Sequence, residues 1–160
     1  MKTKRIFRII VLVLVAIVLI LQLIPNKLPE NLGPGKDDII LTGTADAAIG
    51  DILRTSCYDC HSNEVTYPWY SYVAPVSWLV RNDVEEGRRE LNFSEWATYK
   101  TKRMAKKLHE IEEEVEEGEM PMAIYTFIHG QAKLSEEQKE KLIAWSKQAG
   151  ASLKPEVAAE

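Results

Sequence analysis

Five consecutive residues, Cys57-Tyr58-Asp59-Cys60-His61, carry the most specific chemistry in the chain. Two thiols three positions apart fall on nearly one face of a helical turn, so both can reach neighbouring edges of one flat ligand. This CxxCH spacing is that of c-type haem attachment: Cys57 and Cys60 form thioether bonds to the porphyrin vinyl groups, and His61 lies where an imidazole nitrogen binds the iron from the proximal side. The expected cofactor is one covalent haem c.

Other uses of the pair explain less. A thioredoxin-like redox pair leaves His61 without a role and lacks the alternating strands and helices around it. A closed zinc site needs four ligands, which His109 and His129 would have to complete. A plain disulfide in an exported protein, a structural or redox module without haem, accounts for the thiols only.

The second axial position is read from Glu119-Met120-Pro121-Met122. A thioether in a loop stiffened by proline suits iron in either oxidation state, so Met120 is the expected distal ligand. Met122 and His129 are the alternatives, and each methionine could instead fill a gap in the core.

These residues need helices to position them. A helix over Ala45–Ser56, capped by Thr44 and burying Ile49, Ile52 and Leu53, leads into Cys57. The loop 62–75, with Tyr67, Trp69, Tyr70 and Tyr72 among prolines, suits a cover over a flat apolar ligand. One of its backbone carbonyls could hold the other ring nitrogen of His61. A second helix runs over Pro75–Arg89, where Arg81, Arg88 or Arg89 is available to a haem propionate. A third and longest helix opens at Leu91–Trp96, with Asn92 or Ser94 as its cap, and ends at Gly118; it buries Trp96, Met104, Leu108, Ile111 and Val115. Its lysines come first and its glutamates last, against the helix dipole, which reads as a solvated face carrying His109. The last helix, Glu136–Ala149, has a Ser135/Gln138 capping box, buries Leu142, Ile143 and Trp145, and stops at Gly150.

The N-terminus adds a compartment. Residues 1–25 hold an apolar run from Ile9 to Ile24, broken by Gln22, behind Lys2, Lys4, Arg5 and Arg8. Without a small-residue cleavage site, this reads as an uncleaved single-pass anchor that keeps the N-terminus inside and exports the rest to the periplasmic side. Residues 26–43, rich in proline and glycine, read as a flexible linker; 44–150 as the domain; 151–160 as a loose tail. Beyond residue 27 the formal charge falls from -4 to -9, because five basic residues are left behind. That makes the exported part a poor candidate for binding nucleic acid, and the sign could steer a basic redox partner or serve solubility alone.

The order of helix with CxxCH, aromatic loop, central helices, Met-Pro loop and final helix resembles a small monohaem cytochrome c. That likeness implies an all-α domain around the haem in which Gly50 and Trp145 form the close crossing of first and last helices. The segments Cys57–Ser62, Tyr67–Tyr70, Pro75–Trp78, Glu86–Arg88, Leu91–Trp96, Met120-Pro121, Tyr125, His129, Ala132–Ser135 and Trp145 together resemble a family of bacterial haem-binding domains. The resemblance implies covalent haem through Cys57 and Cys60, with His61 proximal and Met120 distal. The function expected is single-electron transfer between partners rather than enzymatic turnover. The alternative is a ligand-binding sensor or peroxidase with an open distal site.

Overall fold

The computed structural model describes residues 2–157, and all regular structure among them is helical. Seven α-helices follow in order: α1 (Lys2–Leu21), α2 (Ala47–Ser56), α3 (Tyr58–His61), α4 (Val76–Glu90), α5 (Thr101–Glu117), α6 (Ala123–Ile128) and α7 (Glu136–Val157). Three 3-10 turns, Trp69–Tyr72, Phe93–Thr98 and Gly130–Ala132, join them. The all-α expectation holds for the domain.

The core forms where α5 and α7, the most extensively packed pair, close over α2. Leu108, Ile111 and Val115 from α5, Leu142 from α7 and Ile49, Ile52 and Leu53 from α2 are buried together with Phe93 and Trp96. The Ser135/Gln138 capping box is present: Ser135 N–H donates to Gln138 Oε1 at 2.9 Å, and Gln138 N–H donates to Ser135 Oγ at 3.2 Å.

Several local expectations are corrected. Asp46, not Thr44, caps α2 by accepting from Ile49 N–H at 2.9 Å. The long third helix is two elements, a 3-10 turn and then α5. Phe93, Trp96 and Tyr99 are all buried, and their spacing of three matches the 3-10 period, so that geometry sinks the three rings together. α7 does not stop at Gly150. That residue lies inside the helix, where an added Cβ would stand 3.8 Å from Leu108, so packing on α5 carries the helix onward through part of the segment read as a loose tail. The close approach at Gly50 is to Ile40, with a Cβ 3.1 Å from its Cδ1; Trp145 instead donates its indole N–H to Thr44 O at 3.1 Å.

Residues 26–43 are not a free tether. Asn31 exchanges hydrogen bonds with the backbone of Val65, Tyr67 donates to Pro29 O, and Arg88 donates to Glu30 O. Ile39 and Asp38 are fully buried. Prolines and glycines here shape a strap that the domain holds through these bonds and through the buried Asp38 and Ile39.

No helix among the described residues is long and apolar enough to cross a membrane. The wholly apolar part of α1, Ile9–Leu21, is about 20 Å long at 1.5 Å per residue, against roughly 30 Å of hydrocarbon. The fold therefore gives the expected spanning segment no support.

Candidate functional site

Cys57 closes α2 and Cys60 and His61 belong to α3, which follows without a loop. Cys57 O accepts from both Cys60 N–H (3.2 Å) and His61 N–H (2.9 Å), so one turn of backbone fixes all three side chains. That turn is anchored from below by Tyr58. Its ring stacks on Phe93 at 5.4 Å, and its hydroxyl donates to the fully buried Asp38 carboxylate at 3.0 and 3.1 Å.

α4 passes so close to this turn that only glycine fits. A Cβ on Gly87 would lie 2.7 Å from Cys60 O and 3.1 Å from its carbonyl carbon. This approach lets the end of α4 reach the histidine: His61 Nδ1 lies 3.0 Å from Gly87 O and 3.1 Å from Leu91 O. Carbonyl oxygens only accept, so Nδ1 carries the proton and Nε2 keeps its lone pair for a metal. Burial also depresses the basicity of the ring, which favours this neutral form. A backbone carbonyl does orient His61 as expected, but it comes from α4 and not from the loop 62–75.

Cys57, Cys60 and His61 line one cavity of about 420 Å³ together with Met120 and Met122. The volume falls within the range of cofactor sites. Its apolar lining comes from Leu53, Leu91, Phe93, Ile111, Val115 and Leu142. Burial pushes both thiols up to about 12; Cys60 adds to the rise at Cys57, as Asp83 and Asp59 do at Cys60. The sulfurs are thus held as protonated thiols.

Met120 is placed by the end of α5. Gly118 takes the left-handed conformation (φ 78°), and the N–H groups of Glu119 and Met120 both donate to Glu114 O at 3.0 and 3.1 Å. A side chain there would force strain at Gly118. His129 is not part of the cavity wall. It meets the Tyr70 hydroxyl through Nε2 and stacks on Tyr125 at 4.5 Å. Tyr125 does line the cavity, and its hydroxyl donates to Asp59 Oδ2 at 2.6 Å, linking α6 to the CxxCH turn.

Charge around the cavity is one-sided. Asp59, Asp83, Glu86, Glu90, Glu110 and Glu114 face it, with Lys107 as the cation among the lining residues. Lys107 is nearly buried and donates to Glu110 at 2.6 Å. Of the three candidate arginines, Arg81 pairs with Glu85, Arg89 pairs with Glu86 and Glu90 at the cavity, and Arg88 bonds Ser62 O and Glu30 O while its Nη2 is buried without a partner among the described residues. The sequence placed Gly87, within Glu86–Arg88, and Tyr125 only among the residues of the family likeness, and did not single out Lys107 for the site. A glycine in the last turn of α4 that does not end the helix was the available signal.

A family model described as a haem-binding domain matches residues 16–148. No curated protein and no solved structure matches the chain.

Proposed function

We propose, from the premise that this chain belongs to the haem-binding domain family, that it is a c-type haem protein passing single electrons between partners outside the cytoplasm. The observation that carries this reading is the convergence of Cys57, Cys60, His61 and Met120 on one cavity, with His61 Nδ1 already committed to two carbonyls.

The residues present fit the group. Gly87 lets α4 close against the CxxCH turn and present its carbonyl to His61, the cavity wall is apolar, and the donors are two thiols, an imidazole and a thioether. Cys57 and Cys60 would hold one haem through thioether bonds, and His61 Nε2 and Met120 Sδ would hold its iron. When bound, the haem supplies an iron that gains and loses one electron. The protein's own part is to hold His61 in one tautomer, shield the iron from water with Leu53, Phe93, Ile111 and Leu142, and surround the opening with carboxylates that would attract a basic partner.

α1 has apolar side chains exposed along its length and basic residues at its start. α1 alone is shorter than a full span, so the reading of a membrane-held protein, with Arg8 snorkelling at one end and the domain on the outer side, rests on this exposed apolar surface, on the basic start and on Leu23 and Ile24, which continue the apolar run.

The test is the far-red sulfur-to-iron absorption of the oxidised protein. It is expected to vanish in Met120→Ala and persist in His129→Ala; persistence in Met120→Ala overturns the ligand assignment. The second reading, a haem open to small ligands, draws on α6, which has no buried residue to hold the Met120 side shut. Rapid carbon monoxide binding to the reduced wild-type protein would favour it.

A further inference from the structure

The 3-10 turn Trp69–Tyr72 and the first turn of α4 turn apolar side chains outward. Trp69 is 77% exposed and Tyr72 67%, with Val73, Val76 and Leu79 beside them, and Phe127 of α6 is 89% exposed. Tyr70 and His129 join the two segments. Scattered apolar residues on a surface need no explanation, but a group of large ones does.

What covers this group is indicated by how α1 ends. The Gln22 side-chain amide pairs with both backbone groups of Ala74: Nε2 donates to Ala74 O at 3.0 Å, and Ala74 N–H donates to Oε1 at 3.0 Å. Asn26 Nδ2 donates to Ser77 O at 2.9 Å. The foot of α1 is therefore clamped to the segment that carries the apolar group, and the exposed Leu23 and Ile24 lie between the clamps. α4 is graded along its length, apolar and exposed at Val76 and Leu79 and charged further on, where Asp83, Glu86 and Glu90 line the haem cavity and Arg88 and Arg89 share the last turn.

We infer that the face made by Trp69, Tyr72, Val73, Val76 and Leu79 rests on the lipid surface at the foot of α1 and so fixes the orientation of the haem domain on the bilayer. The inference rests on the reading that α1 enters a membrane. A bilayer that takes α1 must meet whatever is clamped to its end. Trp and Tyr are the side chains that settle at the headgroup level, and the aliphatic residues beside them gain from leaving water. The charged end of α4, with the cavity mouth, is left to water and to a soluble partner.

The experiment uses the full-length haem-loaded protein in phosphatidylcholine vesicles containing spin-labelled lipid. Haem attachment consumes Cys57 and Cys60, so one introduced cysteine takes a single fluorescent label: Trp69→Cys, Val76→Cys, or Glu137→Cys on α7 as the water-facing reference. Haem absorbance confirms the fold of each variant. The expected result is several-fold stronger quenching by the labelled lipid at positions 69 and 76 than at 137. Co-sedimentation with vesicles but equal quenching at all three positions overturns the lipid-facing surface, leaves the anchor standing and marks the face for a protein partner. Failure to co-sediment overturns the anchor and the surface together. Label entering the chain without an introduced cysteine overturns covalent attachment instead.

Discussion

The His61 side of the cavity and the Met120 side are held in different ways. On the His61 side the ring has two acceptors, the CxxCH turn rests on a Tyr58–Asp38 bond and a Tyr58–Phe93 stack, and α4 touches Cys60 with no room for a methyl group. On the Met120 side a glycine turn launches the loop, α6 buries none of its residues, and Ile124, Phe127 and Ile128 are exposed. If the thiols are joined to a haem as proposed, both sulfurs and the imidazole need to be in register beforehand, so the His61 side would have to exist first. The Met120 side would have only to close afterwards, and a soft ligand tolerates that latitude.

The largest test of the contrast is Gly87→Ala. The new methyl would meet the backbone carbonyl of Cys60 at 2.7 Å, and backbone cannot rotate away as a side-chain tip can. A stability loss of about 1–3 kcal/mol is expected, with a parallel fall in covalently loaded protein. Denaturant unfolding and haem stain on a denaturing gel read the two effects. A variant as stable and as fully loaded as the wild type would show that α4 does not set the His61 side.

What could be read from the sequence separates along the same lines. The CxxCH turn, the capping box and the apolar stripe of α5 are local patterns, and each stands where its spacing put it. The partners of those patterns are long-range. Nothing near His61 in sequence says that its acceptors are Gly87 O and Leu91 O, 26 and 30 residues away. The proline- and glycine-rich segment read as a linker because composition reports flexibility. Its fate was decided by two residues, Asp38 and Ile39, whose burial depends on Tyr58 and on the Phe93 backbone, which bonds Ile39 N–H at 3.0 Å. The Met-Pro loop was found for its chemistry, while the Tyr125–Asp59 bond that ties its neighbour helix to the haem motif carried no local signal.

That bond is the next way to sharpen the comparison, because it is where the looser side is fastened to the firmer one. Tyr125→Phe removes a donor to a carboxylate and is expected to cost about 1 kcal/mol, near the low end for a bond to a charged group because the site is half-exposed. The tyrosine also gives the bond a pH signature. Burial first, and then the Asp59 carboxylate, raises the Tyr125 hydroxyl above its usual 10.0. A raised acid keeps its proton longer in the folded state, so its stabilisation is complete below pH 10 and is lost as pH rises through the folded value. Unfolding free energy measured across the alkaline range should fall less steeply in Tyr125→Phe than in the wild type. The slope that remains belongs in part to Tyr58, raised by burial and by Asp38 in the same manner. Equal slopes would mean that Tyr125 does not hold α6 to the CxxCH turn.

The smallest effect is expected at Phe127, and its smallness is the point. A phenylalanine in a packed core costs about 3–5 kcal/mol to truncate, which is the expectation for Phe93, 1% exposed against Tyr58. Phe127 is 89% exposed on a helix with no buried residue, so Phe127→Gln should change the stability of the protein in aqueous solution by no more than about 0.5 kcal/mol. Glutamine keeps the helix propensity and removes only the apolar surface. A loss above about 1 kcal/mol would show that α6 packs against the domain as firmly as the His61 side does, and the contrast between the two sides would fail. A neutral result leaves a large aromatic ring on the surface with no role in folding, and its use must then lie in what the protein touches.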